Sequence, residues 1–381
     1  MIYDVIIIWA GAAWLFAWIN LDKNLNKLIL EKNDKPWIKV LLSWGERANV
    51  SNIDIDVERD YFWQNKKALI SIFKRFNQWD IQSFFAENWV NIVEEDRWRL
   101  ILESWDSSEL LDLLVKKLKE NNCELKINSD VKKIKPHPNP LLWEEREQWK
   151  LFDIICDDWK IHKAKNIIVS SGWKSFFQVW TTGEWYNFAK DLWIKIISPH
   201  KALCGLTAKK DFKELSGSSM NLWLKLVDNK KIIYEEFWPL LFTHFWISWP
   251  IVFNTANVLW EYLNGIWIFS EEEKIKYILN NIKVELNIDK EKATKKIVKF
   301  FEKELENDEK IEFWLQDWRS WKEAKATWWW ININELDKNM QSKKYCWLYF
   351  IWEVVDVTWK TWWFNLQWAW SSAYVCWKSI K

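Results

Sequence analysis

The stretch from Asp4 to Glu31 limits the possible folds of this chain more than any other. Val5-Ile6-Ile7-Ile8 is a short β-branched run of the kind that forms a parallel strand buried on both faces. Trp9-Ala10-Gly11-Ala12-Ala13-Trp14 follows, then a helical segment to about Asp22 and a second apolar run, Lys27-Leu28-Ile29-Leu30, that ends on Glu31. Glycine at Trp9 and Trp14 would make this turn G-A-G-A-A-G, with another glycine at Trp18 and an acid 20 positions after Gly11. That spacing belongs to the strand, turn, helix and strand that open a dinucleotide-binding Rossmann unit.

Tryptophan cannot do the work of those positions. The first glycine of such a turn makes a tight bend, the second lets the backbone approach a pyrophosphate, and the third lets helix and strand pack closely. Composition points the same way: 7 Gly and 37 Trp in 381 residues, where glycine alone ordinarily makes up about 7%. Most of these tryptophans are therefore expected to be glycines in the living protein, as in bacteria that read the codon UGA as glycine. Trp-Trp-Trp at 328–330 and Trp362-Trp363 then become glycine runs, ordinary loop sequence. Seven Arg against 47 Lys, with abundant Ile and Asn, suggest the A+T-rich genome in which such a reassignment arises.

Charge is nearly balanced, 54 basic against 53 acidic residues, so no global field argues for nucleic acid or an anionic membrane. The cysteines at 123, 156, 204, 346 and 376 form no close pair, which argues against a structural metal site or a local redox disulfide and suits a reducing compartment. The apolar run from Val5 to Ile19 has no basic flank and is too short to span a bilayer. The expectation is a cytoplasmic protein that does not enter a membrane.

Taken in order, the loop at 43–52 carries Arg47 and Asn49 as donors for phosphate or flavin oxygens, with Arg47 equally readable as a surface cation. Residues 61–85 read as helix, and 88–102 as two strands about an Asp96-Arg97-Trp98 turn. Residues 106–121 read as an amphipathic helix capped by Asp106, with leucines 110, 111, 114 and 118 as core. Strands are expected at 124–128, 131–135, 151–156 and 166–171. The proline-rich 136–140 reads as a loop with His137 solvated. Ser171 and Gly172 sit at a strand end, where open α/β sheets bind ligands, and a helix starts at about Trp180. Beyond Pro199 the texture changes, with strands at 222–227, 231–237 and 265–269, then a Lys/Glu-rich helical stretch from Ser270. The organisation read from this is a first part of the dinucleotide domain at 1–190, an inserted β-rich domain at 191–269, a helical lobe at 270–320, and the returning part of the first domain at 321–381.

With glycines restored, the chain resembles the HI0933-like flavoproteins, also known as BaiN-like or aminoacetone-oxidase-like proteins. The resemblance runs through nearly the whole chain. It is carried by the opening fingerprint with Glu31, by S-G-G-E-R-A-N-V-S-N at 43–52 and T-G-E-G-Y at 182–186, and by L-F-T-H-F-G-I-S-G-P at 241–250. It continues through A-T-G-G-G at 326–330, G-E-V-V-D-V-T-G at 352–359 and G-G-F-N-L-Q-W-A-W-S-S at 362–372. In this family the two tryptophans of Q-W-A-W are authentic, which singles out Trp368 and Trp370. The family usually has Cys where Ala48 stands, so no thiol role carries over.

The resemblance implies an α/β fold: a discontinuous FAD-binding Rossmann domain of the glutathione-reductase type, with the inserted β-rich domain and helical lobe. By position, Trp9, Ala10, Gly11, Ala12, Ala13 and Trp14 would hold the FAD pyrophosphate at a helix N-terminus. Glu31, with Lys32 beside it, would meet the adenosine ribose, Val131 would lie near adenine, and Arg47, Asn49, Ser171 and Gly172 would contact the cofactor. Trp352, Glu353 and Asp356 would fall near the ribitol and flavin, and Phe364, Asn365, Leu366 and Gln367 at the flavin edge. Glu353 reads equally as a helix cap and Asn365 as a turn residue. His244 is a candidate acid or base near the flavin, or a structural histidine. The activity implied is an FAD-dependent oxidoreductase acting on a small molecule, with NAD(P)H as a possible donor. A flavin-dependent RNA-modifying protein and a non-catalytic flavin binder are the rivals.

Overall fold

In the computed structural model the described residues are 1–9, 11–34, 49–62, 66–122, 124–137, 151–170, 185–197, 199–307, 310–328, 331–360 and 362–380. They form two compact units, Met1–Pro199 with Trp328–Lys381, and His200–Thr327.

The first unit is built on the opening strand. Ile2–Ile8 lies in a seven-stranded sheet between Lys27–Leu30 and Ile161–Val169, parallel to both, and Glu124–Lys126 extends the parallel set beyond Lys27–Leu30. Val5 to Ile8 and Leu28 to Leu30 are fully buried, as their continuous apolar sequence requires of strands covered on two faces. The long strand Ile161–Val169 is shared along its other edge. Its first half pairs antiparallel with Leu151–Cys156, and its last three residues pair parallel with Leu348–Phe350. The chain thus returns to the same sheet after the second unit. The first helix, Ala12–Asn20, packs against the last, Trp362–Trp377, where the rings of Phe16 and Trp370 meet edge to face at 5.4 Å.

Three expectations for this unit are corrected. Residues 61–85 are not one helix: Tyr61–Phe62 pairs with Thr358–Trp359, and helices Lys66–Phe73 and Gln78–Glu87 are separated by a capping box at Asn77. The side chain of Asn77 accepts from Trp79 and its own N–H donates to Asp80, so a new helix starts there. The strand Val131–His137 runs through Pro136 because it is the last strand of its sheet, where a missing N–H breaks no ladder. His137 on that strand is not simply solvated, since its Nε2 lies 2.6 Å from Asp153.

The second unit is a closed antiparallel barrel of Leu206–Ala208, Trp246–Ser248, Lys231–Phe242, Ser219–Asp228, Ile282–Asn287 and Lys310–Trp318. Residues 265–269, read as a strand, instead follow the end of a helix, Pro250–Gly265. The stretch read as a helical lobe holds the helix Glu271–Asn281, but also the barrel strands Ile282–Asn287 and Lys310–Trp318. Val284 and Leu286 face the core while Lys283 and Glu285 are half-exposed, a period-2 alternation that the surrounding lysines and glutamates disguise. Among the described residues no helix is long and apolar enough to cross a membrane.

Candidate functional site

The site is assembled where the parallel strands end. Ile2–Ile8 gives way to Trp9, whose N–H donates to the Leu30 carbonyl at 2.8 Å and whose φ of 68° turns the chain sharply. Gly11 then caps the helix Ala12–Asn20, whose first N–H groups have no partner within the helix and form a seat for an anion. Glu31, at the end of the second strand, is buried. Its N–H donates to Lys126, its carbonyl accepts from Ser129, and its carboxylate accepts from the N–H of Asn33 at 2.8 Å. These bonds fix the acid in place at the carboxyl end of the parallel strands. Lys32 lies 3.6 Å from Asp130, which also accepts from Lys132 at 2.6 Å, and buried Val131 adjoins them.

The returning chain forms the other side. Trp352 and Glu353 lie in a short 3-10 turn immediately after the strand Leu348–Phe350, and the N-terminus of the last helix brings Phe364, Asn365, Leu366 and Gln367 beside it. Asn365 links the two pieces: its Oδ1 accepts from the Trp352 indole at 2.5 Å and its Nδ2 donates to Glu353 at 3.3 Å. The Phe364 carbonyl accepts from the Tyr61 hydroxyl, and Gln367 accepts from Ser51 on the strand Asn49–Asn52. Asp356 is fully buried, and neither carboxylate oxygen has a hydrogen-bond partner among the described residues. Burial pushes its pKa up to about 8, so it is held largely neutral at pH 7.

Glu31, Lys32 and Val131 are therefore brought together, as are Trp352, Glu353, Phe364, Asn365, Leu366 and Gln367. Ala13, Trp14 and Asn49 are buried around them. Ala10, Arg47, Ser171 and Gly172 lie outside the described residues, as does the side chain of Ala12. His244 belongs to the second unit, exposed between Lys231–Phe242 and Trp246–Ser248, with its carbonyl accepting from the N–H of Phe212. Asp130, Ser51 and Ser170 were not singled out by the sequence. Ser170 follows the strand Ile161–Val169, at the strand end expected to lie near a ligand, with a buried hydroxyl that has no partner among the described residues.

The comparisons agree with this architecture. The chain matches the HI0933-like protein Rossmann domain over residues 3–379. It belongs to the HI0933-like family. The chain is 26% identical over 414 residues to a protein of Haemophilus influenzae named ribosomal RNA dihydrouridine synthase, covering 99% of this chain and 98% of that relative. A protein of the same name from Escherichia coli K12 is 23% identical over 409 residues, 98% of this chain and 97% of the relative. Among solved structures, the open conformation of a flavocytochrome c3 fumarate reductase superposes with a TM-score of 0.51 at 10% identity, covering 99% of this chain and 77% of that one. The likeness to that flavocytochrome is one of fold and extends over nearly the whole chain.

FAD fits only part of what is present. Glu31 is a buried acid at the end of the second strand, Asp356 is a buried acid whose oxygens have no hydrogen-bond partner among the described residues, and two helix N-termini are available. The pyrophosphate seat does not fit, because the Trp352 indole fills the space over Gly11: a Cβ built on Gly11 would lie 2.3 Å from its ring. Trp9 lies in the same turn with its indole N–H buried and without a hydrogen-bond partner among the described residues. With these indoles in place, the residues do not accommodate the FAD that the sequence leads one to expect.

Proposed function

We propose that this HI0933-like protein is a flavin-dependent oxidoreductase that reduces uridine in ribosomal RNA to dihydrouridine, with NAD(P)H as the source of electrons. The observation that carries the reading is end-to-end similarity. Two relatives named for that activity align with nearly all of this chain and nearly all of themselves, so no domain of theirs is missing here. The reaction adds two electrons and two protons across the C5–C6 double bond of the base, which a redox protein performs and a passive flavin binder does not. FAD supplies two-electron chemistry wherever it is bound, and the protein's part is to position the substrate and exclude water.

The near balance of 54 basic and 53 acidic residues favours a second reading, a small-molecule substrate, because proteins that neutralise many phosphates usually carry a basic excess. One experiment separates the two. The chain, made with glycine at the fingerprint positions, is expressed in Escherichia coli lacking its own relative, and the ribosomal RNA is digested and analysed for dihydrouridine by mass spectrometry. Reappearance of dihydrouridine supports RNA as substrate. A flavin-loaded protein that oxidises NAD(P)H with small acceptors and leaves the RNA unmodified moves the assignment to a small molecule.

A further inference from the structure

The backbone says which tryptophans are out of place, without reference to any motif. Among the described residues, seventeen that are not glycine have a left-handed φ, and ten of these are tryptophan. A bulky side chain is disfavoured there, and glycine is the default.

Three of the ten share one geometry. The helices Gln78–Glu87, Trp185–Asp191 and Pro250–Gly265 each end with an N–H donating five residues back: Val90 to Phe85 at 3.0 Å, Ile194 to Ala189 at 2.9 Å, and Ile268 to Leu263 at 2.9 Å. This is the Schellman cap, whose left-handed residue is usually glycine. Here it is Trp89, Trp193 or Trp267, with φ of 61°, 54° and 67° and exposures of 93%, 83% and 81%. An indole so exposed, placed where a Cβ is unwelcome, contributes little packing, although that of Trp267 meets Phe269 edge-on at 6.0 Å.

The remaining seven fall into equally specific places. Trp159, φ 63°, closes the hairpin between Leu151–Cys156 and Ile161–Val169, at the left-handed position of a three-residue turn. Trp249, before the helix Pro250–Gly265, has φ 84° and ψ 174°, a region essentially restricted to glycine. Trp352 is the residue whose ring lies over Gly11, Trp9 makes the bend two residues before it, and Trp98, Trp105 and Trp347 occupy tight turns. By contrast, Trp368 and Trp370 sit inside the last helix, fully buried, with indole N–H groups donating to the carbonyls of Trp352 at 3.2 Å and Val50 at 3.0 Å. Those two behave as tryptophans do in a core.

We infer that the cell builds this chain with glycine at the ten left-handed positions and tryptophan at 368 and 370, the gene's UGA codons being read as glycine. Glycine at 9 and 352 clears the seat over Gly11, so the same assignment reconciles the fold with its cofactor.

The test is peptide mass spectrometry on the protein isolated from the cells that make it, beside the codons of its gene. Glycine at 89, 193, 249 and 267 with UGA codons, and tryptophan at 368 and 370 with UGG, is the expected result. Tryptophan at the three helix caps overturns the inference. A second measurement compares two recombinant full-length chains, one with tryptophan throughout and one with glycine at the ten positions and at Trp14, for FAD retained through gel filtration. Flavin is expected in the second chain only. Equal retention by both would overturn the claim that indoles close the seat. If glycine is found in the native protein and the folded glycine chain stays colourless, the codon inference stands and the flavin reading falls.

Discussion

The hydroxyl of Ser51 donates to Oε1 of Gln367 at 2.6 Å, joining two buried side chains that are 316 positions apart in sequence. The bond fastens the strand Asn49–Asn52 to the last helix beside the candidate site, and Gln367 Nε2 donates in turn to Ser371. Gln367→Leu keeps the volume and removes the acceptor, leaving the Ser51 hydroxyl buried without it. The expected loss is about 1–3 kcal/mol of stability, read from the shift in urea midpoint. An unchanged midpoint would mean that the pair contributes nothing.

Asp356 makes stability depend on pH. Its folded-state pKa is raised to about 8 by burial, above the about 3.9 of an unfolded chain. Below pH 4 both states hold the proton and there is no penalty. Between about pH 4 and pH 8 the unfolded state releases it first, so the folded state loses stability as pH rises. Asp356→Asn removes this contribution. Subtracting urea midpoints of the variant from those of the parent across this range isolates the effect, and parallel curves would contradict the buried, neutral acid.

Replacing a single cap tests the backbone reading without involving the cofactor. Trp89→Gly relieves a left-handed conformation that costs an L-residue roughly 1–2 kcal/mol, and it surrenders little packing because the indole is exposed. The variant is expected to be about 1 kcal/mol more stable, with a higher Tm. A lower Tm would show that the indole makes contacts of value.

Glu31 should govern cofactor affinity more than stability. In the chain carrying glycine at the seat, Glu31→Ala removes an acceptor that the backbone N–H groups around it hold in place. A hydrogen bond to a charged group contributes about 1.5–3 kcal/mol, so FAD binding followed by flavin fluorescence should weaken by roughly 10- to 100-fold. Affinity equal to the parent's would remove Glu31 from the site.

Much of this was legible in the sequence for physical reasons. Val5 to Ile8 could only be a doubly covered strand, and the leucine spacing at 110, 111, 114 and 118 gave the helix Ser107–Glu120 its buried face. Glu31 stood out because strand, turn and helix lengths fix where the second strand ends. Other features depended on partners far along the chain. Ile282–Asn287 is a strand because barrel neighbours pair with it on both sides, whereas its own lysine and glutamate content suits a helix equally well. The break at Asn77 hid within a continuous apolar period, and Pro136 was tolerable only because its strand ended a sheet. Asp130 acquires meaning from Lys32, which meets it only in the folded chain.

The second unit is one uninterrupted stretch, His200–Thr327, while the first is split and draws Leu348–Phe350 and its last helix from the end of the chain. During synthesis, the barrel has all its strands well before the ribosome finishes. The sheet that surrounds the opening strand waits with one stretch of edge uncovered until Leu348–Phe350 emerges. A nascent chain stalled after the barrel would therefore display a finished second unit beside a sticky, half-built first one, and that intermediate is where chaperones would be most needed.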